Sequence, residues 1–110
     1  MSYTKIRYTV AEGVATITLN RPDKLNSFDR EMALETIDAL DKAKDDANVR
    51  AILLTGEGRA FCAGQDLAEA IAPGTRIEEI ISTQYNPIVR RLRALPKPVV
   101  AAVNGVAAGA

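Results

Sequence analysis

Two segments rich in glycine and alanine carry the residue types that could do chemistry: LTGEGRAFCAGQDL at 54–67 and VNGVAAGA at 103–110. Each follows or closes an apolar run, 51–54 and 99–103, that reads as a buried strand. Gly56, Gly58 and Gly64 let the backbone turn or approach a ligand closely, because no Cβ stands in the way. Free backbone N–H groups at such a strand end hold an oxyanion or a phosphate. If the two strands are parallel neighbours, both loops lie at one edge of the sheet, where open α/β sheets bind ligands. One N–H from each loop can then converge on a single oxygen. The competing reading is that Ala and Gly only permit close packing of strand and helix.

The composition narrows the chemistry. Histidine is absent, which removes Ser–His and Cys–His nucleophile schemes and most metal sites. The single cysteine, Cys62, reads as a small buried hydrophobe and suits a reducing cytoplasm. Fourteen basic residues balance fourteen acidic ones, so nothing points to nucleic acid or an anionic membrane as partner. No run approaches the ~20 apolar residues of a membrane span. The first ten residues lack the apolar core of a signal peptide.

The elements that must position the two loops follow from periodicity. Residues 3–10 and 14–19 alternate apolar and polar around Glu12-Gly13 and predict a β-hairpin. Residues 20–27 form a loop. A helix is expected over 29–47, with Ala33, Ile37, Leu40, Ala43 and Ala47 as its apolar stripe and Ser27 or Asp29 as its cap. Glu35, Asp38, Asp41, Lys42, Lys44, Asp45 and Asp46 then form its solvated face. A strand follows at 51–55 and a short helix at 65–71. The helical period over 77–95 is interrupted by Pro87, which predicts two helices end to end with Asn86 capping the second. After the strand at 99–103, Asn104-Gly105 turns the chain, and 106–110 reads as the first turn of a helix. This order is α/β or α+β, with the strands at 51–55 and 99–103 parallel and 65–95 as their crossover. Few elements remain to cover the second face of that pair. Residues 1–110 therefore read as the N-terminal portion of one larger domain.

NRPDKLNSFD (20–29), LTGEGRAFCAGQDL (54–67) and KPVVAAVNGVAAGA (97–110) resemble, in order, the three N-terminal signature segments of the crotonase, or enoyl-CoA hydratase/isomerase, superfamily. Within it, RPDKLNSF, GRAFCAGQDL and YNPIVRRLRALPKPVVAAVNGVAAGA are most similar to the ring-1,2-epoxyphenylacetyl-CoA isomerases of phenylacetate breakdown. The resemblance implies the N-terminal part of a crotonase-like spiral of ββα units. It implies an acyl-CoA thioester substrate and an enolate held by two backbone N–H groups, those of Ala63 and Ala110, with Gly109 as the neighbouring possibility. It places Ala63, Gly64, Gln65, Asp66 and Leu67 along the coenzyme A, and Lys24 and Leu25 beside its tail. Lys24 then meets a phosphate or is simply solvated. Asp66 caps the following helix or orients its loop rather than serving as the base. Tyr85 and Pro87 border the acyl pocket or belong to the core. No metal or separate cofactor is implied, and the family forms trimers or dimers of trimers. The catalytic carboxylates are expected after Ala110. Isomerase is thus the first reading, hydratase the second, and a non-catalytic acyl-CoA-binding subunit the third.

Overall fold

The computed structural model describes residues 2–110. Strands β1 (Ile6–Ala11) and β2 (Val14–Leu19) pair antiparallel, with Ile6 opposite Leu19 and Ala11 opposite Val14. Glu12 and Gly13 both have positive φ, 53° and 80°, which matches the twist of a tight two-residue hairpin. Helix α1 (Arg30–Asp45) starts where Asp29 accepts the Met32 N–H at 2.8 Å. Of the two candidate caps, Asp29 is the one used. Strand β3 (Ala51–Gly56) runs parallel to β2, and β5 (Val99–Ala101) runs parallel to β3. The sheet order is β1-β2-β3-β5, so the two loop-bearing strands are neighbours as expected. Ala15, Ile17 and Leu19 of β2 pack with Ile52, Cys62 and the buried side of α1, which presents Met32, Ala33, Ala39, Leu40 and Ala43. Ile37 is only half-buried, and Ala47 lies exposed past the helix end.

Three expectations are corrected. Glu35 is not on a solvated face: it is 4% exposed. Its Oε1 accepts the N–H groups of Thr4, Lys5 and Ile6 at 3.1, 2.8 and 3.2 Å. The start of the outer strand β1 thus finds its acceptor on a helix. Asp38 likewise accepts the Tyr3 hydroxyl at 2.6 Å, and Asp41 pairs with Arg91 at 2.8 Å.

The second correction concerns the Pro87 break. Helix α2 (Leu67–Ala70) is followed by α3 (Ile77–Ile80), a π-turn (Ile81–Tyr85) and α4 (Asn86–Ala94), with no interruption between the last three. The N–H of Asn86 reaches back to the Ile81 carbonyl. Widening the turn makes room for a ring that would clash with the carbonyl four residues earlier. One bulged helix therefore replaces two capped ones. Third, 106–110 does not start a helix. Val106–Ala107 is strand β6, and it pairs parallel with β4 (Ala60–Cys62) in a second small sheet.

Glu35→Ala leaves three backbone donors without their acceptor and is expected to cost ~2–3 kcal/mol, by the usual penalty for stranded buried donors. Glu35→Gln keeps an acceptor oxygen and is expected to cost less than half as much. Urea denaturation of both variants at neutral pH checks this.

Candidate active site

The loop between β2 and α1 is held in an unusual backbone shape. After a single 3₁₀ turn (Pro22–Lys24), Leu25 and Asn26 both take left-handed φ, 52° and 57°. Asn tolerates that region, whereas Leu rarely does. Asn26 is fully buried. Its side-chain oxygen accepts the Arg21 N–H at 2.7 Å, and its amide donates to the carbonyls of Glu57 and Ala60 at 3.0 and 2.8 Å. From there the loop runs along 63–66. The Ala63 N–H donates to the Leu25 carbonyl at 3.0 Å, Phe28 N–H to Gly64 at 2.7 Å, and Asp66 N–H to Phe28 at 2.8 Å.

On its other side, 60–64 meets the chain after β5. The Ala108 N–H donates to the Cys62 carbonyl at 3.0 Å. Gly64 has φ +117°, and a Cβ there would stand 3.2 Å from the Ala108 carbonyl oxygen. A Cβ on Gly109 would stand 3.3 Å from the Gly64 Cα. The two small-residue segments therefore lie directly against each other, and a side chain on either glycine would be strained by its positive φ and would crowd the facing backbone. Asn104 pins the junction: its side chain accepts the Gly56 N–H at 3.1 Å and donates to the Gly58 and Ala60 carbonyls at 2.9 and 3.1 Å.

The expected donor at Ala63 is corrected by this geometry. Its N–H is already spent on Leu25, so it is not free for an oxyanion. The available donor is two residues on. The Gly64 carbonyl points at Phe28, and no peptide here is cis, so the Gln65 N–H of the same peptide points away from Phe28. It has no backbone acceptor among the described residues. Gln65 lines a cleft of about 420 Å³ together with Gly109 and Ala110, and Phe28 and Tyr85 form part of its wall. The fact that singles out Gln65 is a peptide-plane orientation, for which the sequence carries no local signal.

The remaining predicted residues separate into groups. Lys24, Ala63, Gly64, Gln65, Asp66 and Leu67 line one open groove of about 450 Å³. Leu25 lines neither space and contributes its carbonyl instead. Pro87 lines neither as well, whereas Tyr85 borders the apolar cleft. Asp66 does both things expected of it. It caps α2 by accepting the Glu69 N–H at 3.0 Å, and it pairs with the buried Arg21 at 2.9 Å. The cap and the Arg21 guanidinium hold its carboxyl below the usual range. Arg21 also donates to the Ser27 carbonyl at 2.6 Å, so it fastens both ends of the loop to α2. Burial pushes the Cys62 thiol up, which makes it a poor nucleophile. Among the described residues, no three His, Cys, Asp or Glu side chains come together as a metal site.

Residues 9–110 match the protein family described as enoyl-CoA hydratase/isomerase. The chain is 48% identical over its whole length to a probable enoyl-CoA hydratase of Rhodobacter capsulatus, covering 42% of that protein. It is 50% identical over 105 residues to the 1,2-epoxyphenylacetyl-CoA isomerase of Escherichia coli K12, with 92% of this chain and 40% of that protein aligned. The crystal structure of a putative enoyl-CoA hydratase/isomerase from Mycobacterium abscessus superposes with a TM-score of 0.83 at 38% identity, over 91% of this chain and 40% of that one. The chain thus spans about two-fifths of the length of the relatives it matches.

Asn26→Ala leaves the buried Arg21 N–H and the half-buried Glu57 carbonyl without this partner, while the Ala60 carbonyl keeps Asn104, and is expected to cost ~2–3 kcal/mol in a chemical denaturation series. For Asp66 the folded-state carboxyl titrates below its unfolded value. Its contribution is therefore present above ~pH 4 and disappears as pH falls through the folded value. Asp66→Asn is expected to lose ~1–2 kcal/mol at pH 7, with the gap from wild type closing in acid. Denaturation midpoints measured from pH 7 down to pH 3 check the sign.

Proposed function

The chain belongs to the enoyl-CoA hydratase/isomerase (crotonase) family, and from that premise we propose that the protein carrying it is an acyl-CoA isomerase that stabilises a thioester enolate between two backbone N–H groups. We propose ring-1,2-epoxyphenylacetyl-CoA as its substrate. The observation that carries the reading is the turned peptide between Gly64 and Gln65, whose N–H is unclaimed at a cleft shared with Gly109 and Ala110. In this reading the thioester oxygen accepts from the Gln65 N–H and from the N–H of Ala110, with Gly109 beside it. A proton next to a thioester becomes acidic when the resulting enolate oxygen meets fixed donors sheltered from water. One such donor contributes ~3 kcal/mol to the transition state.

The groove lined by Lys24, Ala63, Gly64, Gln65, Asp66 and Leu67 receives the coenzyme A, and the apolar cleft receives the acyl group. Asp66 and Glu35 are excluded as proton carriers because each is committed to backbone donors. The carboxylate that moves the proton is proposed to lie in the part of the relatives' length that this chain does not span. The choice of substrate is supported by the 50% identity to the E. coli isomerase. Hydration of an enoyl-CoA is the second reading, supported by the 48% identity to the R. capsulatus protein.

Turnover by the full-length protein on the ring epoxide and on crotonyl-CoA separates them. The isomerase reading expects conversion of the epoxide to oxepin-CoA with kcat/KM ~10²-fold or more above crotonyl-CoA hydration, a margin that buried polar recognition can supply. Hydration of crotonyl-CoA as the faster reaction assigns the hydratase. Inactivity on both with coenzyme A thioesters still bound leaves a binding subunit.

A further inference from the structure

Phe28 and Gln65 form an isolated parallel bridge, outside any strand. Two hydrogen bonds make it: Phe28 N–H to the Gly64 carbonyl at 2.7 Å, and Asp66 N–H to the Phe28 carbonyl at 2.8 Å. The Gln65 N–H lies between them, with no ladder on either side to hold its direction. The Arg21 side chain spans this bridge. Its Nη1 donates to the Ser27 carbonyl at 2.6 Å on one chain, and its Nη2 to Asp66 Oδ2 at 2.9 Å on the other. Stability does not explain a cation in this place. The Arg21 side chain is 10% exposed and that of Asp66 14%, so water screens the pair little. A buried ion pair adds little over apolar residues of the same volume, because both charges give up their water. The guanidinium also stands 3.7 Å from Asp29, the N-cap of α1, at the helix end that disfavours positive charge. Two needs of the site do explain it. A short pairing is marginal without further cross-links, and a planar fork bonds both chains at once. Asp66 also puts a carboxylate one residue from the donor, where an enolate would meet its repulsion. The Arg21 charge offsets that repulsion at 2.9 Å.

We propose that Arg21 is a positioning residue for the enolate: it clamps the Gln65 peptide across the Phe28 bridge and cancels the Asp66 charge beside it. The proposal rests on the acyl-CoA reading above and adds the residue that makes its backbone donor effective. Arg21 lines neither the coenzyme A groove nor the apolar cleft, so it acts through Ser27 and Asp66. Such a clamp works on the transition state, where charge on the oxygen develops, and leaves ground-state binding largely alone. Lysine at this position keeps the charge but has no planar fork to bond both chains. Glutamine loses the charge as well.

The test uses the full-length protein with Arg21→Lys and Arg21→Gln, at a temperature where circular dichroism shows each variant folded. The rate kcat is read on the faster of the two substrates above. The dissociation constant and the thioester C=O stretch are read on bound phenylacetyl-CoA by infrared difference spectroscopy. That stretch falls in frequency as hydrogen bonds to the oxygen strengthen. The expected kcat is about 10-fold lower in R21K and about 100-fold lower in R21Q, the loss that a misplaced donor gives. The downshift of the stretch is expected to shrink in the same order, with Kd held within about 3-fold. A wild-type kcat and stretch in folded R21Q overturn the inference and leave the acyl-CoA reading intact. So does a weaker Kd with kcat unchanged, which assigns Arg21 to the shape of the groove. If R21Q does not fold, R21K decides: a wild-type kcat and stretch there overturn the clamp. If wild type neither binds phenylacetyl-CoA nor turns over either substrate, the acyl-CoA reading fails and this inference with it.

Discussion

Both lone pairs of the Ala60 carbonyl are occupied by asparagine amides, Asn26 at 2.8 Å from one loop and Asn104 at 3.1 Å from the other. A carbonyl can accept no more. Each asparagine also bonds the turn that follows β3: Asn26 at the Glu57 carbonyl, Asn104 at the Gly56 N–H and the Gly58 carbonyl. Gly56 makes room for this node, since a Cβ there would stand 2.5 Å from the Ala60 oxygen and 2.9 Å from the Asn26 amide. The strands it joins, β4 and β6, have three and two residues. Strands so short have no independent stability. They exist because side chains from outside the small sheet supply the hydrogen bonds that its own ladder cannot.

That dependence sets what was legible in the sequence. The hairpin, α1, β3 and β5 each run long enough, or are apolar enough, for their period or burial to show. Their parallel order followed from connection lengths. A two-residue strand has no period, so Val106–Ala107 looked like helix because its neighbours are small residues with no opposing signal. The burial of Glu35 was illegible for a different reason. A helix pattern says which face is polar but not whether an edge strand needs an acceptor there. Pro87 announced a break, and the chain absorbed it by widening one turn, because the π-turn before the proline and α4 after it both pack against α1.

The segment was legible in the sequence, whereas which of its N–H groups is bound and which is free was not. The motif singled out 63–67, where the Ala63 N–H is bound to Leu25 and the Gln65 N–H has no backbone acceptor among the described residues. That difference is made by the loop at 20–29, about forty residues earlier in sequence. By claiming the Ala63 N–H with Leu25 and the Gly64 carbonyl with Phe28, this loop turns the next N–H outward. Leu25 contributes through its carbonyl alone. This accounts for a bulky residue being held in a left-handed conformation that costs of order 1 kcal/mol or more.

Such a site is rigid because its cost is met on folding. The Gln65 N–H is carried on a peptide whose other end is hydrogen-bonded, on a loop tied to Arg21 through Asp66 and to β6 through Cys62. A donor held in this way does not reorganise when charge develops before it, which is where backbone oxyanion sites gain their strength.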